Sequence, residues 1–581
     1  MRRVLILGGG CGGVAAAWAL SRTPELRRAV SVTLVQPGGR LGGKGATHRD
    51  PGRSEAILEH GLHMWLGWYR TAFSMMQDVY EAWDGPTRGP QASLGDAFTP
   101  QYDVSLVGPE GTPADTWHLT CPKVPGVPWD SAGPTQTWMQ TVSTWTRRMP
   151  GLMRDDAPAN QRRVMAGLTM AIGRGLAAEW RRHGADCFAQ MDALDLRAWL
   201  RVHGASEEVA TSAPLRGLYD LGFAYPEGVA GPDRGQAAAG TALKVLLNMF
   251  ASYRGAPFWR MNAGMGDTVF APAFEVLRAR GVDVRFYQAV TALRTDGRSV
   301  TQVELGHQAR GVEGHDPLVD LGDLRVWPGE PRRDPLSELA TGDLEAAQGP
   351  FLSGSSLTIG DDFDDVVLAI PATAHGAIAA DLMAANPRYR AMVEHTHGVA
   401  TIAAQCWLDR GTRQLGWDGT DAVLTGMNGP FHTWADLTGV LPAEGWQDPP
   451  AGLAYLCGVA PPEVQRMTDR QAASAWVREQ LPDATRSLLP WWPGADAGGH
   501  LDESALRDGW PGQYARANVA PWERYVLSLP GTMSFRLAPG DSGFSNLFLA
   551  GDWTKNRVNG GSVEGAVDSG VAAAHAVLAS C

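Results

Sequence analysis

The residues of this chain best suited to chemistry lie at its two ends. Near the start, Gly8-x-Gly10-x-x-Gly13 follows the apolar stretch VLIL and precedes VAAAWAL, the order of a buried strand, a tight turn and a helix. In that arrangement Gly8 permits the turn, Gly10 lets the backbone approach a pyrophosphate, and Gly13 lets the helix pack close to the strand. The helix N-terminus adds free N–H groups and a partial positive charge. A second apolar strand, VSVTLVQ, ends at Gln36, where a dinucleotide fold normally places the acidic residue that binds a ribose. A neutral amide lacks the charge-assisted strength of a carboxylate, so a weaker ribose contact is expected.

The same stretch has a competing reading. Arg2 and Arg3 precede seventeen uncharged residues from Val4 to Leu20, which is the outline of a signal peptide. Glycine decides between the two, because five of the six residues from Gly8 to Gly13 are Gly, poor for an apolar leader helix and suited to a βα turn. The stretch is therefore expected to stay in the mature protein.

Composition sets the class. At 581 residues the chain is long enough for at least two domains and a substantial core. With 44% hydrophobic and 19% charged residues it has the make-up of a globular protein, and a net charge of −12 argues against a nucleic-acid partner. Cys11, Cys121, Cys187, Cys406, Cys457 and Cys581 are scattered without a CxxC pair, which points to a reducing, cytoplasmic setting. Twenty-two tryptophans serve either packing between domains or an aromatic-lined apolar cavity.

The segment PGGRLGGKGAT, directly after the second strand, favours FAD over NAD. With it the chain resembles the flavin amine oxidase and phytoene desaturase superfamily. The resemblance continues in ILEHGLHMWLGWYRTAFSMMQDVYEAW and in NLFLAGDWTKNRVNGGSVEGAVDSGVAAAHAVLAS, and is strongest to plant-type phytoene and zeta-carotene desaturase-like and hydroxysqualene dehydroxylase-like proteins. It implies that FAD is the cofactor, with Arg40, Gly42, Gly43 and Lys44 along the flavin pyrophosphate loop and Gly61 in the segment that follows. Val290 would make a backbone contact to adenine, and Asp552, after Gly551, would meet the ribityl and phosphate region. The helix beginning near Val563 would aim its N–H groups at the pyrimidine edge of the flavin, where a positive dipole stabilises negative charge.

These pieces must be brought together by a discontinuous architecture. The expected fold is α/β: a glutathione-reductase-like Rossmann FAD-binding domain built from 1–85, 256–305, 361–372 and 536–581, with an α+β substrate domain from 86–255 and 373–535. Residues 306–360, rich in Gly, Pro and Asp, read as a surface insertion. Apolar residues at three- and four-residue steps from Leu62 to Trp83 predict one amphipathic helix, and VDVRFYQAV reads as one strand. His60 and His63 are spaced as a metal pair on such a helix, but no third ligand accompanies them and no metal is expected.

For the reaction, the resemblance implies desaturase-like dehydrogenation of an apolar, isoprenoid or polyene-like substrate by hydride transfer to flavin N5, with O2 or quinone as electron acceptor. The alternative is oxidation of an amine or amino acid to an imine with O2. Amine oxidases of the family often carry an aromatic residue two places before the Glu of the EGA motif, whereas this chain has Ser562 there. A second alternative is a non-catalytic FAD-binding scaffold. His63 and Lys555 are the candidate catalytic residues, and Trp553 a candidate flavin wall. Arg216, Arg254 and Arg260 are candidates to anchor a polar substrate end. Peripheral membrane contact is an open expectation, with TWTRRMPGLM (144–153) and LLPWWPG (488–494) as entrance segments.

Overall fold

A computed structural model of the protein describes residues 1–130, 137–346, 348–417, 419 and 423–580, so Cys581 lies outside the described residues. Five short strands form a parallel sheet: β1 (Arg2–Leu7), β2 (Val30–Val35), β3 (Asp283–Arg285), β4 (Asp365–Leu368) and β5 (Leu547–Leu549), in the order β3-β2-β1-β4-β5. The central strand reads VLIL because both of its faces are covered, and Val4 to Leu7 are all buried. Neighbours on both sides of β1 place its carboxyl end at a switch point, where parallel sheets of this kind bind ligands. Strands from four distant parts of the chain therefore converge on one crevice.

Helix α1 (Cys11–Ser21) leaves the crevice and lies on α3 (Val563–Ala579), the last helix. Their seam is made of small residues. A side chain at Gly570 would run into the Gly12 carbonyl, and one at Gly12 would lie 3.1 Å from Gly551 N. The apolar stretch from Val4 to Leu20 is thus a strand and a helix of the core.

Much of the rest of the chain forms a second body over the crevice. Its seven-stranded sheet runs in the order 514–518, 401–408, 452–459, 433–436, 423–425, 103–107 and 116–120. Thr401–Leu408 and Gly452–Val459 are buried along their whole length. The helices Ala159–His183, Leu196–Val202, Ala213–Leu221 and Ala239–Leu247 build the other side. Among the described residues no helix is long and apolar enough to cross a membrane. The two segments expected at a membrane entrance turn their large apolar groups inward: Trp145, Met149, Leu152, Trp491 and Trp492 are all buried.

Two sequence expectations are corrected and a third is extended. The apolar run from Leu62 to Trp83 is not one helix, because Met64–Leu66 forms a strand paired with Phe258–Met261, and the helix, α2, spans Thr71–Ala82. Gly67 marks the break, since its N–H donates to the Pro257 carbonyl and a side chain there would strike the Ala256 carbonyl. VDVRFYQAV is divided into β3 and a separate strand, Gln288–Thr295, at Tyr287, which has φ of +60°. The 306–360 segment is more than a surface loop. Trp327 is buried and its indole N–H donates to Gly266 O, while Ser353–Thr358 pairs as a strand with Val300–His307.

Two buried groups show how the layers are locked. The Glu564 carboxylate, in the first turn of α3, accepts the N–H groups of Arg70, Thr71 and Ala72, which open α2, and pairs with Arg557. Glu564→Ala would leave three buried donors unmet, and we expect a loss of about 3 kcal/mol or more in denaturant unfolding, with Glu564→Gln milder. His375, fully buried, donates from Nε2 to Ile370 O and accepts the Tyr389 hydroxyl at Nδ1. That is a neutral imidazole, and burial pushes its pKa down to about 4, against a smaller opposing effect of the Ile370 carbonyl.

Since an unfolded histidine titrates near 6.5, the unfolded chain binds the extra proton in the window between. The stabilisation is whole above about pH 6.5 and declines as pH falls toward 4, by about 3 kcal/mol in total. Unfolding free energies measured across that window should show this decline in the wild type and a shallower one in His375→Gln.

Candidate active site

One cavity of about 630 Å³ runs from the carboxyl end of β1 into the second body. Gly8, Gly10, Gln36, Arg40, Gly42, Gly43, Lys44, Gly61, Val290, Gly551, Asp552 and Val563, which the sequence proposes for the cofactor, all line it. Gly13 lies behind the wall, where a side chain would strike the Gly8 carbonyl, and this sets the close approach of helix to strand. His63 and Trp553 line the cavity too. Lys555 is exposed and lies outside the lining, so it is placed away from the chemistry.

The entrance to α1 fits a pyrophosphate. Gly10, the residue before the first turn, offers no side-chain cap, and the turn holds no acidic residue. A Cβ at Gly10 would meet nothing nearer than the Gly42 carbonyl at 3.7 Å, so the missing side chain leaves a cradle at the open N–H groups. Gly8 and Gly42, at φ of +105° and +135°, hold the two loops in conformations natural to glycine. Lys44 adds a cation, 3.5 Å from Asp552. At α3 the arrangement differs. Ser562 Oγ accepts Gly565 N–H and Glu564 turns away to α2, while Ser562 and Val563 line the cavity.

Gln36 uses both ends of its amide locally. Its oxygen accepts Gly9 N–H at 2.7 Å and its nitrogen donates to Pro37 O, which braces the phosphate turn. Arg40 is likewise engaged, donating to Glu345 at 2.6 Å and to Thr47 O. Glu345 comes from the insertion, and its carboxylate also meets His48 at 3.1 Å, Arg470 at 3.6 Å and Arg516 at 3.8 Å. Burial acts to raise the Glu345 carboxyl, but Arg40, His48 and Arg516 outweigh it and hold it well below the usual range. His48 is pushed down to about 4 by burial and by Arg40. The insertion is thus tied to both bodies across the cavity.

His63 is held between two partners rather than free. Its Nε2 donates to Lys44 O at 3.1 Å, and its Nδ1 touches the Glu59 carboxylate as an ion pair without hydrogen-bond alignment. Burial works to lower its pKa, but Glu59 prevails, so His63 titrates above its ordinary range. Arg216, Arg254 and Arg260 lie outside the cavity lining, donating to Met427 O, Asp130 O and Asp436 O. Among the described residues no group of three or more His, Cys, Asp or Glu is arranged to hold a metal.

Beyond the crevice the cavity wall is apolar. Met64, Trp65, Leu66, Trp68 and Tyr69 form one side, and Leu218, Leu221, Phe223, Val245 and Met249 the other. Tyr525 joins them, its hydroxyl donating to Gly561 O and its ring edge-on to Phe223 at 5.2 Å. Sequence reasoning did not single out Tyr525, Asp220 or Glu345 as cavity residues. Tyr525 and Asp220 lie in the stretches ERYVLSLPG and LRGLYDLGFAYPEG, whereas Glu345 sits in a stretch without a periodic signal.

A Rossmann FAD-binding domain joined to an amine-oxidase-like substrate domain is the class that this fold and cavity define. Comparison with known proteins agrees. Residues 6–79 match the model of the NAD(P)-binding Rossmann-like domain, and residues 350–578 that of the flavin containing amine oxidoreductase family. An oxidoreductase from Methanosarcina mazei is similar in structure over 98% of this chain and 99% of its own, with TM-score 0.54 and 13% identity. Putrescine oxidase bound to putrescine covers 100% and 99%, at 0.51 and 16%, and cyclohexylamine oxidase from Brevibacterium oxydans 99% and 98%, at 0.53 and 15%. No curated protein matches the sequence. The chain is an FAD-dependent oxidoreductase that carries the flavin containing amine oxidoreductase signature over residues 350–578.

The two glycines of the phosphate turn separate folding from cofactor binding. Gly10→Ala should keep wild-type stability while FAD binding weakens by about tenfold or more, since the methyl enters the cradle. Gly13→Ala should lower the unfolding temperature itself. Flavin fluorescence titration and thermal unfolding measure the two effects, and equal FAD affinity in Gly10→Ala would remove the cradle assignment.

Proposed function

We propose that this enzyme dehydrogenates an apolar substrate of isoprenoid or polyene type. Bound FAD supplies a hydride acceptor at N5, and the chain's part is to place a C–H bond against it and exclude water. The observation that carries this reading is the chemistry of the wall. Among the lining residues at 64–69, 218–224, 237–249 and 258 only Asp220 carries a charge, and it is paired with Arg216. A chain of CH groups gains about 25 cal/mol per Å² on entering such a chamber. A free ammonium would lose its hydration without a fixed counter-charge to replace it.

A second reading, oxidation of an amine to an imine with O2, is favoured by the family match over 350–578. Against it stands Ser562, whose side chain caps α3 at the place where amine oxidases of the family often carry an aromatic residue. The wild-type enzyme, mixed anaerobically with polyenes and with amines, should lose flavin absorbance with a polyene, and readmission of O2 or a quinone should restore it. Bleaching by an amine, with rapid peroxide on reoxidation, would replace the first reading by the second.

A further inference from the structure

The acidic residue that a dinucleotide fold places at the end of its second strand is absent here, yet a carboxylate stands at that end of the cavity, brought from far along the chain. Gln36 follows β2, and both ends of its amide are spent on Gly9 N–H and Pro37 O. Gly38 and Gly39 come next, so the loop carries no side chain, and a turn of the insertion lies on it. A Cβ at Gly38 would sit 3.3 Å from Leu344 O and 3.6 Å from Glu345 Cγ. Buried Gln308 staples loop and turn, accepting Gly38 N–H at 2.8 Å and donating to Leu344 O at 2.8 Å. The turn is also fixed by Asp343, which accepts Glu345 N–H and pairs with Arg470.

Four carboxylates line the cavity: Asp220, Glu345, Glu523 and Asp552. Asp220 belongs to the chamber, Asp552 pairs with Lys44, and Glu523 is taken up by Arg470, Arg516 and Ala520 N–H. Glu345 is the one that meets the loop after Gln36, and it is the most open, its side chain 25% exposed against 11% for Asp552, 7% for Glu523 and 0% for Asp220. Its Oε1 accepts Arg40 Nε–H at 2.6 Å and its Oε2 meets His48 at 3.1 Å, while Arg470 and Arg516 stand beyond hydrogen-bond reach at 3.6 and 3.8 Å. A carboxylate has about four lone-pair sites, so acceptor capacity is left on a side chain that lines the cavity.

We propose that Glu345 receives the adenosine ribose hydroxyls of FAD, a cofactor contact supplied by the insertion in place of the acid missing at Gln36. A ribose hydroxyl is a donor, and a hydrogen bond to an ionised acceptor is about twice as strong as one to a neutral amide. Burial works to raise the Glu345 carboxyl, but Arg40, His48 and Arg516 outweigh it, so the acceptor keeps its charge at neutral pH. Position fits as well. The end of the second strand is where a dinucleotide fold holds the ribose, and Gln288 N–H donates to Gln36 O, which brings Val290 to the same end of the cavity. Arg470 and Arg516, which hold Asp343 and Glu345, belong to the helix Arg470–Ala484 and the strand Tyr514–Asn518 of the second body. Retention of the cofactor is thereby tied to the body that carries the substrate chamber.

Cofactor binding is read directly, so the outcome does not depend on which substrate is oxidised. The full-length protein, freed of flavin, is titrated with FAD and with the FAD analogue whose adenosine ribose lacks both hydroxyls, following flavin fluorescence. The wild type should bind FAD about tenfold tighter than the analogue. Glu345→Gln should bring the two ligands to within about threefold of each other, through weaker binding of FAD while the affinity for the analogue holds. Glu345→Asp, which keeps the charge of the network and withdraws its oxygens by one methylene, should likewise narrow the ratio. A merely structural role would weaken both ligands alike and leave the tenfold ratio in place, and that result in either variant would overturn the assignment. Equal binding of FAD and the analogue by the wild type would overturn it as well, whether or not a variant folds.

Discussion

The structure turns on the seam between α1 and α3. The first and last helices lie so close that the Gly12 carbonyl occupies the place of a Gly570 side chain, and Gly12 itself lies against Gly551. That approach brings the phosphate turn after β1 and the loop before α3 to one crevice, so the two ends of the chain share a cavity. A single added methyl group at the seam has no room to be absorbed, because close-packed helices give by tenths of an ångström. From this seam follow the course of β5, the start of α3 and, through Glu564, the placing of α2, which continues from the cavity-lining Trp68 and Tyr69.

How legible this was depends on the range of the interaction. The glycines at 8, 10, 13, 42 and 43 declare themselves in sequence because a turn, a cradle and a close helix each restrict one residue locally. Val290, Asp552 and Val563, far apart in the chain, line the same cavity. The helix expected from Leu62 onward shows the limit of periodicity. Met64, Trp65 and Leu66 satisfy a helical stripe, yet a strand buried on both faces also takes consecutive apolar residues, and Phe258–Met261 supplies the partner. Glu345 was unreadable for a further reason: its meaning lies in Arg40, His48, Arg470 and Arg516, the nearest of which is well over a hundred residues away in the chain.

The two ends of the cavity follow opposite electrostatic rules. At the crevice, charges are dense and mutually satisfied: Arg40, Glu345, His48, Arg516 and Glu523 form one connected network. In the apolar part of the wall the charged lining residue is Asp220, faced by Arg216 from behind the lining. Networks fix geometry because each member limits its neighbours, whereas an apolar wall tolerates sliding. The cofactor end is accordingly held by many mutual contacts, and the chamber by few.

The strand order carries a consequence for synthesis. β1 emerges from the ribosome first, but its neighbour β4 is made some 360 residues later, and β5, which closes the sheet, comes later still. Through most of translation VLIL has only β2 beside it, with its other edge open and apolar. A nascent chain of this kind has a long wait and a high contact order, which favours slow folding and reliance on chaperones that shield exposed strand edges. The same topology that joins distant segments in one crevice leaves the crevice incomplete until β5 and α3 have been made.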